Sequence, residues 1–175
     1  MGVFKMKGYI HIYTGNGKGK TTASIGLAVR AALAGKKVYI SQFVKGMEYS
    51  ELKLEEYLPN VEFHQFGRDC FIYKEPTKED ILAAEEGINA CKEVLEKGEY
   101  DLVILDELNI ALYFKLFKIQ DVIHMLSSRD KHVEVVITGR YAPKELIDMA
   151  DLVTEMVEIK HYYNNGIEAR KGIEF

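Results

Sequence analysis

The run Thr14-Gly15-Asn16-Gly17-Lys18-Gly19-Lys20-Thr21-Thr22 constrains this chain more than any other stretch. It joins an apolar segment, 9–13, to a stretch of helical period, 20–34. Closely spaced glycines lack the Cβ atoms that would stop consecutive N–H groups from curling around an anion. The helix that follows adds its N-terminal donors and the positive end of its dipole. Lys20 then reaches phosphate oxygens as a point charge, and Thr21 stands where a hydroxyl ligates Mg2+. The usual pattern opens on a glycine where this chain has Thr14, with Gly15 following. The competing reading is a glycine-rich helix entry with no ligand, but strand, helix, lysine and threonine agree on a nucleotide phosphate. Gly15, Asn16, Gly17, Lys18, Gly19, Lys20, Thr21 and Thr22 are therefore the expected nucleotide-binding residues.

The rest of the pattern fits a fold for such a loop. Segments 38–43, 61–66, 102–105, 133–138 and 152–159 read as strands, alternating with helical stretches at 51–57, 77–97 and 143–149. Gly35 suits the left-handed position past a helix C-terminus. Thr77 and Asp80 form a capping box that opens the longest helix. Leu102 to Leu105 is continuously apolar, as in a strand buried on both faces. Strands alternating with helices predict right-handed crossovers and an α/β fold: a mostly parallel sheet covered by helices on both faces, P-loop NTPase-like, in one domain over 1–175. Ligands in such sheets bind beyond the carboxyl ends of the strands, at loops starting near Thr14, Val44, Gly67, Asp106 and Gly139. The polar tail, 160–175, is expected to pack on the domain or on a dimer partner, with Asn164-Asn165-Gly166 as a hairpin turn.

Composition narrows the class. The 175 residues are 47% hydrophobic and 29% charged, with a net charge of −4, which excludes disorder and predicts no general affinity for nucleic acid or anionic membrane. The two cysteines, Cys70 and Cys91, cannot build a four-cysteine zinc site or a disulfide framework. No stretch reaches the ~18 apolar residues of a membrane span, and residues 1–7 lack a signal-peptide apolar region. A cytoplasmic location is the expectation.

A second chemical signal is Asp106-Glu107, two carboxylates at the end of the buried run 102–105. There they would meet a phosphate-bound Mg2+, held directly or through water. Thr21, Asp106 and Glu107 are thus the candidate metal residues, against the alternative of an acidic turn. The Asn-Lys-x-Asp of regulatory GTPases is absent, as is a Ser-Gly-Gly-Gln type transporter signature. With arginine only at 30, 68, 129, 140 and 170, an arginine-rich kinase lid is also missing.

At this point the residues carry a resemblance. The loop from Thr14 to Thr22, offset glycine included, is similar to that of the P-loop-type ATP:corrinoid adenosyltransferases, also called cob(I)yrinic acid a,c-diamide adenosyltransferases. Gln42-Phe43-Val44-Lys45-Gly46, Asp106-Glu107-Leu108, Thr138-Gly139-Arg140 with Ala142-Pro143, Ala150 to Glu155, Ile159-Lys160-His161 and Gly166 to Phe175 resemble family segments in the same order. Two departures stand out. Gly67-Arg68-Asp69-Cys70-Phe71-Ile72-Tyr73 differs from the family's usual Gly-x-Gly-Phe-Thr-Trp, keeping Phe71 and replacing tryptophan by Tyr73. The chain also starts shortly before its first strand, where some relatives carry a segment that closes over the corrinoid, so a more open site is expected.

The resemblance implies transfer of the 5′-deoxyadenosyl group of ATP to the cobalt of a reduced cob(I) corrinoid, with release of triphosphate, in adenosylcobalamin biosynthesis or corrinoid salvage. It implies Mg2+ (or Mn2+), an electron donor such as flavodoxin or a flavin reductase, and a homodimer. Cobalt(I) is a strong nucleophile, so no general base is required; the protein orients C5′ and stabilises the leaving triphosphate. Lys20, Thr21, Glu107 and Arg140 become the candidate catalytic residues. Lys45, Phe71 and Tyr73 become binding residues, the two aromatics facing the corrin and disfavouring a lower axial ligand. Lys45 and Arg140 could equally be surface ion-pair residues, and Phe71 and Tyr73 one face of a buried strand. Two other functions compete: an ATP hydrolase with Glu107 as general base, and a non-catalytic nucleotide sensor.

Overall fold

The structure is a computed structural model, which describes residues 6–68 and 75–175. Its strands are β1 Ile10–Thr14, β2 Val38–Phe43, β3 Val61–Phe66, β4 Leu102–Asp106, β5 Glu134–Thr138 and β6 Leu152–Glu155. Its α-helices are α1 Lys20–Leu33, α2 Leu54–Tyr57, α3 Lys78–Lys97, α4 Leu108–Tyr113, α5 Ile119–Ser128 and α6 Lys144–Met149. The strands form one sheet in the order β3-β2-β4-β5-β1-β6, and every pair is parallel. The α/β expectation holds, with the sheet wholly rather than mostly parallel.

Alternation along the strands divides the core. Val103 and Leu105 of β4, with Val135 and Ile137 of β5, face α3, α4 and α5. Their neighbours Leu102, Ile104 and Val136 face the alanines of α1, Ala28, Ala31 and Ala32. Side chains two apart share a face of a strand, so an all-apolar run serves both layers. Alanines let α1 lie close over the sheet. On the other face Gly87 does the same for α3, since a Cβ there would lie 2.6 Å from Phe66 and 2.8 Å from Phe43. Cys91 packs in this layer, where burial pushes its thiol up to about 12, leaving it inert as a nucleophile.

Local signals set the helix ends. Thr77 and Asp80 close the expected capping box on α3, and Gly35 takes a left-handed φ of 81° just past α1. Two expectations fail. The last strand stops at Glu155 instead of running to 159. Met156 still donates its N–H to Thr14 at 2.8 Å, but its carbonyl accepts the N–H of Gly17 at 2.7 Å, so the chain leaves the sheet edge to brace the glycine loop. Residues 164–166 are also no hairpin. Tyr162–Asn165 form one 3-10 turn closed by Gly166 at φ 78°, with no following strand to pair. The sequence reading also passed over α4 and α5, although Ile119, Val122, Ile123 and Leu126 carry helical spacing.

Candidate active site at the carboxyl edge of the sheet

Strand order decides what meets the glycine loop. β5 lies between β1 and β4, so the loop after β1 and the acidic pair at the end of β4 flank Thr138 and Gly139. Register places Gln42 of β2 beside Asp106 of β4, and Tyr13 beside Thr138.

The glycines serve a neighbour as well as any ligand. A Cβ on Gly15 would lie 2.4 Å from the Met156 carbonyl oxygen, and one on Gly17 2.7 Å from the same atom. Gly15 and Gly19 also hold left-handed φ values of 93° and 118°, strained for any other residue. Thr14, standing where glycine is usual, is still part of the strand. Its hydroxyl accepts the N–H of Ala142 at 3.3 Å, tying this loop to the one after β5.

Lys20 is buried, and its Nζ donates to the carbonyl of Gly17 at 2.7 Å. Burial lowers its pKa, with Glu107 and Asp106 pulling against that and Arg140 adding to it. Thr21 donates its hydroxyl to Asp106 Oδ1 at 2.9 Å, and Thr138 donates to the same oxygen at 2.6 Å. Lys45 Nζ reaches Oδ2 at 2.7 Å, and Gln42 Nε2 lies 3.3 Å from it. Burial opposes the charge on Asp106, but Lys45 and the two hydroxyls outweigh it and hold the carboxyl below its ordinary range. Glu107 goes the other way: burial, then the adjacent Asp106 charge, raise its pKa against Lys45, Lys20 and Arg140. Its backbone is left-handed at φ 58°, and its N–H donates to Thr138 Oγ1 at 3.0 Å, so the chain enters α4 through this single turned residue.

These groups surround a cavity of about 590 Å3 lined by Gly17 to Thr22, Lys45, Glu107 and Arg140. Asp106 lies buried beneath it, while Gly15 and Asn16 lie outside its lining. The tail supplies part of the wall through His161, Ala169, Ile173, Glu174 and Phe175, and Met47, Glu48 and Tyr49 complete it. Lys18 bonds to the tail, donating to Tyr162 Oη at 2.8 Å and Glu174 Oε1 at 2.6 Å. Arg170 and Tyr162 also bond to Glu174, and Ser50 donates to the Phe175 carbonyl at 3.1 Å. Phe71 and Tyr73 lie outside the described residues. A larger cleft, of about 1050 Å3 between α3 and the α4–α5 segment, contains no residue of the glycine loop.

Sequence reasoning did not single out Thr138, Gln42 or Tyr49 as site residues. Thr138 ends β5 and Gln42 is the last residue but one of β2, at the functional edge, which was the available signal; nothing local marks Tyr49. Among the described residues no cluster of three or more His, Cys, Asp or Glu could hold a metal ion. The Thr21 hydroxyl over a carboxylate nonetheless suits Mg2+, which takes few protein ligands and completes its shell with phosphate oxygens and water.

A sequence model of the family described as ATP:corrinoid adenosyltransferase BtuR/CobO/CobP matches residues 6–175. The chain belongs to this family. It is 38% identical to a corrinoid adenosyltransferase of a Sinorhizobium species, over 97% of this chain and 81% of that protein. It is 35% identical to the corrinoid adenosyltransferases of Pseudomonas aeruginosa and Escherichia coli K12, over 97% of this chain and 84% and 86% of theirs. The expected family and enzyme class are thus correct: the protein is a corrinoid adenosyltransferase. No helix among the described residues is long and apolar enough to cross a membrane.

Proposed function

We propose that the 590 Å3 cavity holds ATP with its triphosphate in the glycine loop and C5′ turned toward the corrin cobalt. Cobalt(I) attacks C5′, the C5′–O bond breaks, and its electron pair leaves on the triphosphate; the cobalt ends formally as cobalt(III). The convergence of Lys20, Lys45 and Arg140 on the cavity, above the Thr21–Asp106 bond, carries this reading. A leaving group with several negative charges needs fixed cations where that charge develops. The loop N–H groups and Lys20 hold the phosphates, and Arg140, on the loop after β5, lines the same cavity. Thr21 and Asp106, with Glu107 beside them, would hold Mg2+, which when bound neutralises charge on the departing triphosphate.

Glu107 is assigned to the metal rather than to a water: it lines the cavity next to Asp106, and a cobalt(I) nucleophile needs no general base. Phe71 and Tyr73 are assigned to the corrin side, where they disfavour a lower axial ligand. The electron comes from a flavodoxin or a flavin reductase, and the enzyme works in the cytoplasm as a homodimer. Product analysis with chemically reduced corrinoid tests the reaction: triphosphate and an adenosylated corrinoid are expected. ADP with phosphate would establish the hydrolase instead, and no turnover would leave a nucleotide sensor.

A further inference from the structure

The Asp106 carboxylate has no solvent exposure, and its oxygens meet four donors: Thr21, Thr138, Lys45 and Gln42. A carboxylate offers about four lone-pair positions, so this set leaves none for a further partner. A divalent cation cannot simply add to it; a donor must leave first.

The four donors differ in their freedom to go. Thr138 is fully buried at the end of β5 and also accepts the N–H of Glu107. Gln42 is fully buried in β2, and its amide oxygen accepts from Gln65 at 3.1 Å. Thr21 opens α1 and is itself a candidate ligand. Lys45 alone combines a flexible stem with a way out. Its side chain is 12% exposed and lines the cavity, and it follows Val44, whose φ of 52° is left-handed. Its Nζ also lies 4.9 Å from the centre of the Tyr49 ring, which faces the same cavity. An aromatic face is a resting place for an ammonium group.

We propose that Lys45 is the site's built-in counter-ion, neutralising Asp106 in the empty enzyme and handing it to the metal when metal and triphosphate arrive together. The released ammonium moves along the Tyr49 face onto phosphate oxygens, so one cation replaces another on Asp106 and no buried carboxylate is left bare. Metal without nucleotide offers Lys45 no new partner, and the exchange does not proceed. Lys45 thereby makes metal loading depend on ATP. This inference rests on the magnesium reading of the site.

The test uses nucleotide-free enzyme and Mn2+ alone, with free Mn2+ followed by its electron paramagnetic resonance signal. Lys45→Met keeps the stem and removes the charge. It should bind Mn2+ at least about tenfold more tightly than the parent, and its unfolding midpoint should rise with Mn2+ where the parent's stays level. Lys45→Arg keeps the charge on Asp106 and should hold the parent's weak affinity. With ATP present, the metal affinities of Lys45→Met and the parent should converge, while Lys45→Met binds ATP less well. Equal nucleotide-free Mn2+ affinity in Lys45→Met and the parent overturns the proposal, as does a Lys45→Met protein that is unfolded and not recovered by Mn2+. If the parent retains Mn2+ with ATP and only the Lys45 comparison is flat, the magnesium reading stands without this role. If the parent retains no Mn2+ even with ATP, both fall.

Discussion

Two clusters of like composition adjoin the cavity of the glycine loop. In one, Lys45 and Asp106 pair with side chains 12% and 0% exposed; in the other, Lys18 and Arg170 grip Glu174 with side chains 36%, 52% and 17% exposed. Both place a lysine ammonium on a carboxylate at similar distances, 2.7 and 2.6 Å, with the Arg170 guanidinium farther off at 3.4 Å. The surroundings separate them. In the sheltered cluster, removing one partner strands the other in a medium that cannot solvate it. In the outer cluster, water and salt take over most of what the pair provides. The inner cluster thus belongs to the fold, and the outer one positions the tail.

The largest expected break in this comparison is Asp106→Ala. It leaves Lys45 uncompensated and removes the acceptor shared by Thr21 and Thr138, and should cost about 3–5 kcal/mol in chemical denaturation. A loss comparable to that of an exposed pair would erase the distinction between the clusters. Next comes Lys20→Ala, expected to cost about 2–4 kcal/mol of transition-state stabilisation. Adenosylation within twofold of the parent would remove the glycine loop from the chemistry.

Glu107→Gln sharpens the inner cluster. As a metal partner, the variant should be slow but partly restored by added Mg2+ or Mn2+, whereas a variant lacking a hydrolytic base would ignore extra metal. Metal titration of its rate separates these outcomes. The smallest effect belongs to Glu174→Gln, which should leave the unfolding midpoint unchanged while amides of 162–174 exchange faster. Acid should act on the parent in the same way. Hydrogen bonds from Lys18 and Tyr162 depress the Glu174 pKa, so its contribution is complete above the ordinary carboxylate range and lost as pH falls through the depressed value. Tail exchange that is indifferent to strong acid in the parent would argue that other contacts hold 162–174.

Legibility followed the same line between local and distant. The loop from Gly15 to Thr22, the Thr77–Asp80 cap, the Gly35 stop and the two-faced strand at Leu102 to Leu105 depend on neighbours in the chain, and each was readable in order. The α4 helix was missed because it follows β4 with only the left-handed Glu107 between, leaving no turn residues to announce it. The strand expected to reach 159 ended early because Met156 is drawn to Gly17, a residue far away in sequence.

By itself, then, the sequence determined a parallel α/β sheet, a glycine-rich loop at its edge and a corrinoid adenosyltransferase family pattern, because backbone propensity, caps and motif spacing act over a few residues. Only the tertiary structure decided that Thr138 and Lys45 share the Asp106 carboxylate with Thr21, and that Lys18 faces the tail. Those pairings depend on β5 lying between β1 and β4 and on the register of β2 beside β4. Strand order and register are settled by burying two apolar faces at once, which no local stretch of chain encodes.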